Sequence, residues 1–258
     1  MTFSLLPHVA LRLNQVQPED EASALNRYAL IDCGQIRPTP KTFEHWLQHN
    51  EHVRLFSGTF ADAANELSPV LVLLQRDGAE AQRQLEALDP RYSQLPVVAM
   101  IESTWNLQAL AKHLQRLLKL KAGDRHYLLR LADTQMLTAA VSVMRPDQLS
   151  AFFLGVAHWW AVDHAGTCRD LAQAGLQQEA VELPLVLSEE QTAKLLQAAQ
   201  LPMAIKQLEW HAPSFRALPY VEQMHFMSAC NDTLSDEDRR DEIALLSTAM
   251  RCWRARGQ

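Results

Sequence analysis

Five short apolar runs constrain this chain more than any other feature: Arg27-Tyr28-Ala29-Leu30-Ile31-Asp32-Cys33, Val70-Leu71-Val72-Leu73-Leu74, Val97 to Ile101, Tyr127 to Leu131 and His158 to Val162. All are short, and turn residues such as Gly34, Pro69 and Pro96 mark their ends, so they read as strands covered on both faces. A shorter run, Val53 to Phe56, closes on Ser57-Gly58-Thr59. Helical spacing fills the gaps. Phe43, Trp46 and Leu47 follow Pro40, a short helix runs through Ala61 to Glu66, and Ala81, Leu85 and Leu88 share a face. Leu107, Leu110, Ala111, Leu114, Leu117 and Leu118 form one stripe, with Ser103 or Thr104 as the expected cap. Ala122-Gly123-Asp124 reads as a turn. Further helices are expected near Gln135 to Val143 and from Pro146 to Phe153, with His158 to Val162 as the last strand of this region. The pattern predicts an α/β lobe with a mixed, partly parallel sheet flanked by helices.

The pattern changes after about residue 180. Ser188-Glu189-Glu190-Gln191 fits a capping box, and Leu195, Leu196 and Ala199 continue a helix from it. Pro202, Pro213 and Pro219 are expected to break the rest into short pieces. Val221, Met224 and Met227 mark another helix. Ser235-Asp236-Glu237-Asp238 places acids at a helix start, followed by Ile243, Leu246, Met250 and Trp253 at helical spacing. The expected division is an α/β domain over residues 1–184 and an all-helical lobe over residues 185–258. Residues 1–26 read as a polar lead-in ending in Glu19-Asp20-Glu21. Met1 to Arg12 lacks the basic start and long apolar segment of a secretory signal. No apolar run is long enough to span a membrane, so a cytoplasmic location is expected.

With 24 basic and 30 acidic residues the formal charge is −6, which gives no drive toward nucleic acid or anionic lipid. The basic concentration Lys112, His113, Arg116, Lys119, Lys121 and Arg125 is placed at a helix end, where cations complement the dipole. Only 8 glycines argues against glycine-rich phosphate loops. Cys33, Cys168, Cys230 and Cys252 form no CxxC pair and read as reduced thiols. No Gly-x-Ser-x-Gly elbow is present. Two enzymatic alternatives remain: a small α/β hydrolase with Cys33 as nucleophile at a strand end, or a nucleotide-binding enzyme using the Gly58-Thr59 turn. His45 and His49 sit four apart near His52, yet without an HExxH form they read as a solvated helix face. His158, Asp163 and His164 read as structural. Trp159 and Trp160 put one indole on each face of a strand. Trp210, Phe215, Tyr220, Met224, Phe226 and Met227 are either the core of the helical lobe or an adaptable partner-binding surface.

The order of motifs between residues 27 and 160 resembles that of the type VI secretion effector chaperones, also called adaptors. The residues that carry the likeness are Tyr28 to Asp32, Leu55-Phe56-Ser57-Gly58-Thr59, Ser68 to Val72, and the helix Leu107 to Leu118. They continue with Tyr127-Leu128-Leu129-Arg130-Leu131-Ala132-Asp133, Gln148-Leu149 to Phe152-Phe153, and Trp159 or Trp160. Two positions depart from the family pattern. Thr134-Gln135 stands where it has Pro-Arg, and Phe152-Phe153-Leu154-Gly155-Val156 replaces Phe-Gly-Pro. The resemblance implies a non-enzymatic adaptor with no cofactor. Such a protein binds a cognate toxic effector and helps load it onto the VgrG–PAAR spike. It also implies that Tyr28, Asp32, Phe56, Gly58, Thr59, Arg130 and Asp133 are motif positions, with Arg130 and Asp133 an internal ion pair. Trp159, Trp160 and the aromatic tail are the candidate partner contacts.

Overall fold

Tyr28 and Leu30 of β1 (Asn26–Ile31) point to one face of a sheet, while Ala29 and Ile31 point to the other, and all four are buried. That double burial is what the unbroken apolar run dictates. The computed structural model describes residues 25–35, 39–88, 97–162, 167–172, 183–235, 238 and 241–256. Met1 to Arg12, Glu19 to Glu21, Asp163, His164 and Asp236-Glu237 lie outside these residues.

The main sheet adds β2 (His52–Arg54), β3 (Val70–Leu73), β4 (Val98–Ser103), β7 (Val156–Val162) and β8 (Cys168–Asp170). Its order is β2-β3-β1-β4-β7-β8, and every neighbouring pair is antiparallel. Parallel pairing lies instead in a small sheet. There β5 (Lys119–Ala122) runs antiparallel to β6 (Arg125–Leu128) and parallel to β9 (Leu185–Leu187). The mixed α/β class stands, but periodicity reports burial and not strand direction, so the location of the parallel pair is new.

One face of the main sheet is covered by α1 (Lys41–Gln48) and α2 (Gly78–Glu86) through Phe43, Trp46, Ala81 and Leu85. The other is covered by α3 (Leu107–Leu117), α4 (Thr134–Val143), α5 (Pro146–Phe152) and the small sheet. After β9 come α6 (Glu189–His211), α7 (Pro213–Arg216), α8 (Tyr220–Asp232) and α9 (Glu242–Arg256). These build a separate core around Ile205, Leu208, Phe215, Phe226 and Met227. Among the described residues, no helix is long and apolar enough to cross a membrane.

Several local expectations are corrected. Asn106 caps α3 by accepting from Ala109 N, because the Ser103 hydroxyl is engaged with Trp105 N and the Gly155 carbonyl. Lys119, Lys121 and Arg125 lie on the β5–β6 hairpin and not at a helix end. β8 follows β7, so His158 to Val162 is not the last strand. Pro202 does not break the chain but lies inside α6, leaving the Ala198 carbonyl without its helical donor. α9 packs Leu246, Met250 and Trp253 against the helical core as their spacing predicts, but Ile243 stays 77% exposed and the fully buried residues are Leu245 and Ala249. The Ser188 capping box forms as expected, with Ser188 Oγ and Gln191 exchanging bonds with each other's backbone N–H.

Candidate functional site

The end of β1 and the start of α4 place three charged motif residues together. Asp32 closes β1, with its N–H on the Val97 carbonyl at 2.8 Å. Its carboxylate accepts from Gly34 N at 2.8 Å and from Arg130 Nη2 at 2.6 Å. Arg130 Nη1 lies 3.4 Å from Asp133, whose other oxygen caps α4 by accepting from Met136 N. The ion pair expected between Arg130 and Asp133 is therefore one arm of a bridge whose shorter arm reaches Asp32. Burial pushes the Asp133 carboxyl above its ordinary value, with Asp32 adding to the rise, while Arg130, the Met136 N–H and Lys206 oppose it. A Cβ at Gly34 would stand 3.2 Å from Asp32 Oδ1, so the turn after the strand has room for little else.

The two departures from the family pattern sit beside this bridge. Thr134 Oγ1 donates to the Val162 carbonyl at 2.8 Å, and Gln135 Oε1 accepts from Tyr220 Oη at 2.8 Å. Gln135 thus ties α4 to the helical lobe. A second tie is a buried glutamine pair: Gln191 Nε2 donates to Gln148 Oε1 and to the Val143 carbonyl, both at 2.7 Å. The sequence places Gln148 in a motif and Gln191 in a capping box but does not join them, since a buried glutamine carries no periodic signal of its own.

The other motif residues lie elsewhere. Tyr28 sits at the far end of β1, where its hydroxyl donates to the Trp105 carbonyl at 2.7 Å and burial pushes it up to about 12. Phe56 is buried, and its carbonyl accepts from both Thr59 N and Thr59 Oγ1. Gly58 takes a positive φ of 69°, and its N–H donates to Asp62 Oδ1 at 3.0 Å. The amides of Gly58 and Thr59 are thus spent inside the turn and not aimed at a phosphate. Cys33 is buried, and burial pushes its thiol up to about 12, away from thiolate character. His49 Nδ1 donates back to the His45 carbonyl, and among the described residues no three His, Cys, Asp or Glu side chains are grouped to hold a metal.

Trp159 and Trp160 are buried on opposite faces of β7. Phe215, Met224, Phe226 and Met227 fill the core of the helical lobe, and Tyr220 is half-buried at its junction with the sheet. Trp210, 85% exposed, is the member of the aromatic stretch that faces solvent.

The fold is thus a mixed α/β sheet lobe carrying a helical C-terminal region. Residues 27–151, just under half of the chain, match the model of a family described as "Domain of unknown function (DUF4123)". That stretch contains the whole Asp32–Arg130–Asp133 bridge. No curated protein and no solved structure matches the chain.

Proposed function

We propose that this chain is a non-enzymatic adaptor that binds a cognate type VI secretion effector in the cytoplasm and helps load it onto the VgrG–PAAR spike. The observation that carries this reading is the family-model match over residues 27–151, which covers the motifs of the resemblance from Tyr28 to Leu149. Two features of the site support a binding role over a catalytic one. The charged motif residues satisfy one another inside the molecule, and the Cys33 thiol is buried and poorly nucleophilic. The sheet lobe then serves as a rigid frame, and the helical region presents surface to the client.

The test is genetic. Deleting the gene in a host with an active type VI system should abolish delivery of the effector encoded beside it, while the spike protein is still exported. Restoring the wild-type chain, or a Cys33→Ala chain, should restore delivery. Undiminished delivery after deletion, or failure of Cys33→Ala alone in a folded chain, would count against the reading.

A further inference from the structure

Helix α6 bridges the two lobes, with its fully buried residues confined to its ends and Leu195 and Leu201 partly buried between them. Gln191 is buried at the start and Ala204, Ile205 and Leu208 toward the end, while no residue from Thr192 to Met203 is buried. Yet half of this middle stretch is leucine and alanine, with Lys194 its one charge, already paired to Glu190 at 2.7 Å. Apolar residues surround the helix, as they do on helices covered from all sides. Leu196, Met203 and Trp210 are 52%, 47% and 85% exposed and fall seven residues apart. They form a nearly straight stripe about 21 Å long. At its N-terminal end the stripe runs into an apolar groove of about 150 Å³ between α6 and the small sheet, walled by Tyr127, Leu128, Leu187, Leu195 and Leu196.

The groove has a sign. It comes from the bordering β5–β6 hairpin, where Lys119, Lys121 and Arg125 stand against Asp124; Arg130, the charged residue in the lining, is already held by Asp32 and Asp133, and no carboxylate lines the groove. Arg125 pairs with Ala122 in register and so shares the face of Leu120 and Tyr127, two residues along the strand from the groove wall. Lys206 is exposed beside Met203. A second copy of this chain would bring the same cations and no lining carboxylate. The seven-residue spacing fits the ridge of a helix, where an extended strand would alternate by two.

We infer that this track is the docking surface for an amphipathic helix of a partner protein. The helix has leucine-like residues at heptad spacing and carboxylates at the end that meets the β5–β6 hairpin. Naming the partner as the carried effector rests on the adaptor reading; the surface itself does not.

The probe is a labelled synthetic helix of about four turns, leucine on one face and glutamate on the other, titrated into the full chain by fluorescence anisotropy. A matched peptide carries lysine in place of glutamate. The glutamate helix should bind about tenfold tighter or better. Leu196→Asp with Met203→Asp should weaken it by about tenfold or more, with the circular dichroism unchanged. Arg125→Glu, at an exposed hairpin position, should weaken the glutamate helix and not the lysine one. Four outcomes would overturn the inference: no saturable binding, equal affinity for both peptides, affinity unchanged in the substituted chains, or a wild-type dimer that the double substitution dissolves. Peptide binding without effector delivery would retract the adaptor reading and leave the surface standing.

Discussion

Arg130 holds two carboxylates with one guanidinium, and its value lies in what would be left behind without it. Asp32 is 2% exposed and Asp133 is buried, so truncating Arg130 strands two carboxylates in the interior. The Arg130→Ala chain should lose about 3 kcal/mol in urea denaturation, the lower end of the range for a broken buried pair, because Arg130 itself is partly exposed. Arg130→Lys should recover only part of this, since a single ammonium cannot fork to both partners. An Arg130→Ala midpoint equal to wild type would show the bridge to be idle. His113 supplies the pH prediction. Its ring is buried, Nε2–H donates to the Phe152 carbonyl at 3.0 Å, and burial lowers its pKa below the ordinary 6.5, with Arg116 lowering it further and the carbonyl bond opposing. A histidine whose folded pKa is depressed stabilises above its unfolded pKa, and that contribution is lost as pH falls. Wild type should therefore lose stability relative to His113→Gln as pH falls below about 6.5. A difference independent of pH would contradict this. At this scale the resemblance to the effector chaperones pointed to Arg130 and Asp133, which stand three apart. The shorter contact spans 98 residues, and spacing says nothing about it.

Among the elements, the tight corner between α5 and β7 depends on one glycine. Gly155 has a φ of +74°, and a Cβ there would come within 2.3 Å of the Trp105 ring. Gly58 has a similar φ of +69° but open space around it. Both alanine substitutions incur backbone strain of about 1 kcal/mol or more. Gly155→Ala should be clearly the more damaging in thermal denaturation, because the indole must move as well. Equal melting temperatures would mean that the ring moves freely. The α6 cap offers a second measure: Ser188→Ala should cost about 1 kcal/mol, and a neutral result would mean that Gln191 alone holds the helix start. The strands of the main sheet from β1 to β7 were legible because apolar runs mark burial, whereas Tyr127 to Leu131 misled: β6 ends at Leu128 and is largely exposed, and the buried Leu129 and Leu131 follow it. Strand direction was not legible, since an antiparallel sheet covered by helices on both faces leaves the same pattern as a parallel one. Pro202 misled for a related reason. A proline removes one hydrogen bond, and a helix anchored at both ends by Gln191 and Ile205 continues past it.

For the molecule as a whole, a sheet lobe and a helical core are joined by polar ties: Gln135 to Tyr220, and Gln191 to Gln148 and Val143. Breaking the first with Tyr220→Phe should leave both cores intact and loosen their junction. Hydrogen exchange should quicken at the start of α8 and not in β1 or β4; unchanged exchange would assign the junction to apolar packing alone. The aromatic tail shows how far sequence could go. Phe215, Met224 and Met227 share the composition of an adaptable binding surface, but their spacing matches the core they fill, and only coordinates separate them from exposed Trp210. The apolar stripe on α6 was hidden for the converse reason, since Leu196 and Met203 look like core in sequence. Under the proposed adaptor function, this chain works by holding another protein. Co-expressing the tagged full chain with the adjacent effector and its VgrG–PAAR proteins, then weighing the purified complex by light scattering, measures that directly. The account predicts a stable complex containing the effector, with the spike recruited when all are present; recovery of the chain alone from every combination would contradict it.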